Sequence, residues 1–366
     1  MSEATNPTAI PLITNDDNGR FQVHEEAVEI LNAIEAPLAI IAVAGMWRTG
    51  KSFLLNSLLG LNGKPDSFVV GNTVHACTKG LWLWGAPIKL PDGLNVLFVD
   101  SEGLGSTSRT QTEDCQIFSL AILLSSFFIW NSRGVIDGNA LEDFGLVVNL
   151  TKYIHSRNPG ADGGAGGGGS ELDTLAEHFP SFLWVVRDFS LRLETNGRSI
   201  DDRQYLENAL KPQQGLGKDA QSRNQIRELL ATFFKTRDCV TLVRPAEDEA
   251  MLRNLTAQPL ENLRQEFVTG LTLLKKKVFG TVRPKTLNGR LMTGAMLATL
   301  TQSYCDALNR CAPASECCFP LPFLFSACSS FPHFVSHFVS HVVSHVVSHF
   351  VSHLPSPCPP VPCAHV

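Results

Sequence analysis

The segment that most constrains this chain is Gly45-Met46-Trp47-Arg48-Thr49-Gly50-Lys51-Ser52, which fits the pattern G-x-x-x-x-G-K-[ST]. It lies between the near-continuous apolar run 38–44, which reads as a strand buried on both faces, and residues 52–59, which continue as a helix with Gly60 as its stop. Strand, glycine loop and helix in that order make an anion site. The glycines let the backbone curl so that its N–H groups face a phosphate, and the helix N-terminus adds positive dipole. Lys51 is then in reach of the β- and γ-phosphates of a nucleotide, and the Ser52 hydroxyl can ligate Mg²⁺. Phe53 closes this nucleotide-binding stretch. Arg48, inside the loop, reads either as an arginine finger supplied in cis to a γ-phosphate or as a surface arginine in an ordinary ion pair.

The rest of the chain repeats the strand–helix alternation. Residues 80–88 and 94–100 read as two strands, and Pro91-Asp92-Gly93 between them predicts an antiparallel hairpin. Further strands are expected at 182–186 and 241–243, and helices at 139–155 and 224–234. The apolar run 117–130 is too short for a membrane-spanning helix, which needs roughly 20 residues, and reads as a buried segment ending in a core strand. Residues 1–35 read as a lead-in carrying a short helix at 25–33. The glycine-rich stretch 159–170 is expected to form a flexible surface loop within a domain spanning 36–310. Alternating strands and helices predict an α/β sheet with helices on both faces.

Composition bounds the partners. Apolar residues make up 44% and charged residues 18%, enough for a substantial core, and the formal net charge is −5. No basic block exceeds Lys275-Lys276-Lys277, so nucleic acid is not expected as a partner. The polar N-terminus carries no secretory signal pattern, which makes a cytoplasmic location the expectation. The ten cysteines include no C-x-x-C pair, so the usual spacing of a zinc site is missing.

Two further segments offer chemistry. Asp100-Ser101-Glu102-Gly103 follows an apolar strand. An Asp there can hold Mg²⁺ through water, Glu102 can order an attacking water or relay a proton, and the Gly103 amide can sense the γ-phosphate. Thr78, in the loop before the next strand, either completes the Mg²⁺ shell or is a plain loop residue. For the base, a carboxylate matches guanine's two adjacent donors, N1–H and N2–H₂, and fits adenine badly. The chain has no N-K-x-D. Arg187-Asp188, directly after the strand 182–186, is the candidate in its place: Asp188 to accept from guanine and Arg187 to lie across its ring. As a bare dipeptide it carries no information beyond its position.

Taken together, these residues resemble the large GTP-binding domain shared by guanylate-binding proteins and atlastin-type GTPases. Residues 42–56 are similar to the family phosphate loop, with its arginine between the glycines. Residues 78–84 resemble its switch I threonine and following strand, 100–105 its D-x-E-G switch II, and 182–190 its R-D base motif; residues 121–126 and Arg244-Pro245 also match. The similarity runs from about residue 21 to about 309, and Glu102 brings it nearer to guanylate-binding proteins than to atlastins. The resemblance implies a Ras-like P-loop GTPase fold with a mixed, mostly parallel sheet, Mg²⁺-dependent GTP hydrolysis, Arg48 as internal finger, and nucleotide-dependent homodimer formation through this domain. Membrane association is compatible with it and not indicated by any segment. Two departures stand out. Ala76 occupies a position where the family often has a serine thought to relay a proton. The long helical region that follows in the family is replaced by residues 311–366.

That tail is low in complexity and reads as non-globular, either disordered or an artefact of gene reading. Residues 334–353 are five copies of Phe/Val-Val-Ser-His. Histidines every four residues advance about 40° per copy around a helix, so they do not stay on one face for a metal. Metal binding and a sticky interaction segment remain the other readings. Cys363-Ala364-His365-Val366 has only the length of a prenylation box. Two rivals to a GTPase stay open: a non-hydrolysing nucleotide-gated module, and an ATP-using P-loop protein.

Overall fold

The computed structural model describes residues 7–35, 37–62, 64, 67–68, 80–105, 111–145, 179–214, 217–287 and 289–310. Thr78, Ala76, the glycine-rich stretch 159–170, most of the expected helix 139–155 and the tail 311–366 lie outside them.

The strands are β1 (Ala9–Asn15), β2 (Phe21–Val23), β3 (Leu38–Ala44), β4 (Leu81–Trp84), β5 (Ile88–Lys89), β6 (Asn95–Ser101), β7 (Phe127–Arg133), β8 (Ser181–Arg187), β9 (Glu194–Thr195), β10 (Arg198–Ser199), β11 (Arg237–Leu242), β12 (Thr286–Leu287) and β13 (Arg290–Leu291). The helices are α1 (Glu25–Asn32), α2 (Lys51–Leu59), α3 (Gln111–Leu124), α4 (Gly138–Asp143), α5 (Asp202–Ala209), α6 (Lys218–Phe233), α7 (Glu249–Arg253), α8 (Gln265–Thr281) and α9 (Gly294–Arg310).

One mixed sheet runs β11-β8-β7-β3-β6-β4-β1-β2, with β5 also on β6; β9–β10 and β12–β13 are separate small hairpins. The strands from β11 to β6 are parallel to one another. From β6 outward, β4, β1 and β2 are antiparallel. β3 sits in the middle and is buried along its whole length. Its side chains alternate between two cores: Leu38, Ile40 and Ala42 pack on one side with α3 and α9, while Ala39, Ile41 and Val43 pack on the other with α2 and α8. That two-sided burial is why the run carries no polar residue.

The hairpin expectation holds. Leu90 N–H donates to Leu94 O, and Gly93, at φ 87°, makes the left-handed turn that Pro91-Asp92-Gly93 signals. Gly60 also ends α2 as read, in a left-handed cap at φ 72°. The apolar run 117–130 divides into most of α3 and the start of β7. Among the described residues no helix is long and apolar enough to cross a membrane. α4 ends at Asp143, so the described part of the expected 139–155 helix is a short one.

The lead-in holds more than a helix. β1 and β2 extend the main sheet, and the Asn309 side chain at the end of α9 donates to Phe21 O and accepts from Phe21 N–H. β1 escaped the sequence reading because Pro11 interrupts its alternation. The strand absorbs this with a register shift between Pro11 and Ile13.

Candidate functional site

The site forms at the C-terminal ends of the parallel strands, where β3, β6, β7 and β8 stop and their loops meet. This is where an open α/β sheet offers room for a ligand. After β3 the chain turns sharply at Gly45. A Cβ there would lie 2.1 Å from the Asn131 carbonyl oxygen, so only glycine lets β7 run this close. Gly50 caps the start of α2 in the left-handed region at φ 82°. Arg48 takes φ 60°, a conformation uncommon for a residue with a side chain. The first amides of α2 have no intrahelical acceptor and face the loop, as an anion site requires.

The loop is held from three sides. From β6, Trp47 N–H donates to Leu104 O at 2.8 Å and Leu104 N–H to Gly45 O at 3.2 Å, which zips the loop to the segment after Asp100. From β7, the buried Asn131 donates through Nδ2 to Thr49 O at 2.9 Å. From β8, Arg187 reaches Gly50 O through Nη1 at 3.4 Å.

Lys51 is buried, and its Nζ donates to Met46 O at 3.2 Å, on the carbonyl that also accepts from the Thr49 hydroxyl at 2.8 Å. Burial lowers the ammonium's pKa, and the nearby Asp100 and Glu102 carboxylates pull it back up. Ser52 Oγ donates to Asp100 Oδ2 at 2.5 Å. These two hard oxygen donors converge at the start of α2, the donor chemistry that suits Mg²⁺. Glu102, 2% exposed, accepts from Gly80 N–H through Oε2 at 2.9 Å, so its carboxylate also anchors the start of β4. Gly103 passes so near the loop that a Cβ would meet Trp47 Cα at 2.6 Å and Lys51 Nζ at 3.1 Å. The exposed Arg48 lays its guanidinium on the Trp47 ring, 4.7 Å from the centroid.

Arg187 and Asp188 part company. Arg187 is 4% exposed, with its guanidinium 5.5 Å from the Phe53 ring and 5.6 Å from the Phe267 ring. Burial brings it down to about 10; Asp188 counters this and Arg133 adds to it. Arg187, expected to lie across a purine, sits with its guanidinium against the Phe53 and Phe267 rings and donates to Gly50 O. Asp188, at φ 56°, turns out of the line of β8 and faces a cavity of about 740 Å³ lined also by Phe189, Leu191, Val243 and Arg244.

The sequence candidates from 45 to 53, 100 to 103 and 187 to 188 thus converge on one edge; Thr78 lies outside the described residues. Two further residues belong to the same edge and went unread: Asn131, behind the loop, and Arg133, whose Nε and Nη2 both reach Asp188 Oδ2, at 3.0 and 2.9 Å. Their sequence signal is the polar run Asn131-Ser132-Arg133 that closes an otherwise apolar strand. Among the described residues no cluster of three or more His, Cys, Asp or Glu could hold a metal.

Residues 18–287 match the family model "Guanylate-binding protein, N-terminal domain". Similar curated proteins include guanylate-binding protein 4 of Homo sapiens, 36% identical over 84% of this chain and 47% of its own, and guanylate-binding protein 3 of Mus musculus, 37% identical over 82% and 47%. Guanylate-binding protein 2 of Rattus norvegicus is 35% identical over 81% and 49%. The chain thus spans about half the length of the curated relatives it matches. With the family's N-terminal model covering the phosphate loop, the acidic segment after β6 and the Arg187-Asp188 edge alike, this chain belongs to the guanylate-binding protein family.

Proposed function

We propose that the chain binds GTP and hydrolyses it to GDP and phosphate in an Mg²⁺-dependent reaction. The observation that carries the reading is the Arg187–Gly50 hydrogen bond. It joins the loop bearing Lys51 to the residue preceding Asp188, so one nucleotide can lie with its phosphates on α2 and its base in the cavity at Asp188. The names of the relatives, guanylate-binding proteins, agree with a guanine ligand.

In this reading the amides at the start of α2 and the Lys51 ammonium receive the phosphate oxygens. The incoming negative charge favours the charged lysine that burial alone disfavours. Ser52, Thr78 and, through water, Asp100 hold Mg²⁺, which when bound supplies positive charge to the phosphate oxygens. Glu102 orients the attacking water. Its oxygen bonds to the γ-phosphorus as the bond to the bridging oxygen breaks, GDP leaves with that electron pair, and the water's proton passes to Glu102 or to phosphate oxygen. Arg48 leaves the Trp47 ring to cover the γ-phosphate and offset charge in the transition state. Asp188 accepts from guanine N1–H and N2–H₂. Nucleotide-dependent pairing of two such domains belongs to the same reading.

A second reading, a nucleotide-gated module that does not hydrolyse, is favoured by Ala76 and by Arg48 resting on Trp47. Single-turnover measurement with Mg²⁺ and GTP separates the two. The GTPase reading expects phosphate release that falls at least about 10³-fold in Arg48→Ala, with GTP affinity little changed. Tight GTP binding with no phosphate release, identical in Arg48→Ala, would leave the second reading standing.

A further inference from the structure

Asp188 is held by an arginine from the neighbouring strand. Arg133 Nε donates to its Oδ2 at 3.0 Å, and Nη2 of the same guanidinium edge lies 2.9 Å from that oxygen as an ion pair. The sheet sets this geometry. β7 and β8 pair in register with Arg133 opposite Arg187, and Gly134 N–H donates to Arg187 O at 2.7 Å just beyond the pair. The two strands therefore leave the sheet tied together, one leading to the arginine and the other to the carboxylate. Arg133 is not among the residues lining the 740 Å³ cavity, whereas Asp188 is. The guanidinium thus approaches the carboxylate from outside the place a base would take.

We propose that Arg133 is a positioning residue for base selectivity: it fixes the Asp188 carboxylate so that both oxygens meet guanine's paired donors at once. The inference rests on Asp188 being the base acceptor. An aspartate free to turn about its Cβ–Cγ bond can meet one donor in many orientations and two donors in few. A grip on Oδ2 removes that freedom before the base arrives, and Oδ2 keeps a lone-pair direction for a further donor. Ordering one such side chain on binding costs an amount equivalent to about 2- to 12-fold in affinity, so this is the range over which Arg133 acts. The ion pair is solvent-facing, with the two side chains 58% and 24% exposed, and salt will screen it.

The test is equilibrium binding of GDP, inosine diphosphate and xanthosine diphosphate to the full chain, with circular dichroism to show that each variant is folded. Inosine lacks the 2-amino donor and so reports the second hydrogen bond. Arg133→Ala is expected to weaken GDP binding by about 2- to 12-fold and to shrink the preference for GDP over the inosine nucleotide. Arg133→Lys, a point charge without the fork, should recover only part of that preference. Salt near 1 M should bring the wild type towards the Arg133→Ala value. An unaltered GDP-to-inosine preference in Arg133→Ala overturns the inference, as does tighter GDP binding, which would make Arg133 a competitor of the base. Asp188→Asn checks the underlying reading separately. A switch towards xanthosine diphosphate supports Asp188 as acceptor whatever Arg133 does, while no change in base preference removes both claims.

Discussion

Replacing Asn131 by alanine tests whether the phosphate loop is preset by the strand beside it. Asn131 is fully buried, and its Nδ2 donates to the Thr49 carbonyl at 2.9 Å; among the described residues its Oδ1 has no hydrogen-bond partner. Deletion removes a bond worth about 1 kcal/mol net and leaves the part-buried carbonyl short of a donor, a cost of about 1–3 kcal/mol. It also removes the unpartnered Oδ1, which offsets part of that loss, so the stability cost should settle at about 1–2 kcal/mol, or a melting temperature lower by a few degrees. The effect on nucleotide binding has a different origin. Without its tether the Thr49–Gly50 peptide must be ordered when phosphate arrives, at about 1–2 kcal/mol per residue fixed, which raises the GDP dissociation constant about 5- to 30-fold. Fluorescence titration with a labelled GDP, alongside a melting curve, reads both quantities on one sample. A dissociation constant within about twofold of wild type, despite the expected loss of stability, would refute the idea that this bond presets the loop, since backbone ordering must then be free.

Gly103→Ala places a methyl group 2.6 Å from Trp47 Cα and should separate the acidic segment from the phosphate loop; the expected result is a folded protein that no longer retains GDP in gel filtration. Arg187→Met keeps the packing between Phe53 and Phe267 but leaves Gly50 O without its donor, so GDP binding should weaken by about tenfold while the melting temperature moves little. Lys285 is buried with its Nζ on Ser125 O at 2.7 Å, and burial brings it from 10.5 to about 8. Its folded value lies below that of the unfolded chain, so between those values the unfolded chain holds more protons and stability rises with pH. Below about 8 the cost of the buried ammonium is present in full. Lys285→Met should therefore be stabilised relative to wild type at pH 7, and denaturant titration should show that difference shrinking by pH 10, by on the order of 3 kcal/mol.

What could be read from the chain divides along a physical line. The strand–loop–helix around Lys51, the turn at Gly93 and the stop at Gly60 are local events. Each needs a particular residue type at a particular backbone conformation, so each leaves a mark within a few positions. Asp100, Glu102 and Asp188 were legible for a related reason. They stand where buried strands end, and a charged group directly after an apolar run is conspicuous. Asn131 and Arg133 act through parallel pairing, with partners 82 and 55 residues away, and no local rule says that β7 will lie between β3 and β8. Arg187 shows the intermediate case. Its position is visible, but its ring partners, Phe53 and Phe267, come from two helices that meet only once the sheet has formed, so its contacts are not. Residues that mark the end of a strand are therefore visible in the sequence, and residues that act through pairing between distant strands are not. Substitutions at Asn131, Arg133 and Arg187 should accordingly alter affinity and selectivity while leaving every recognisable motif intact.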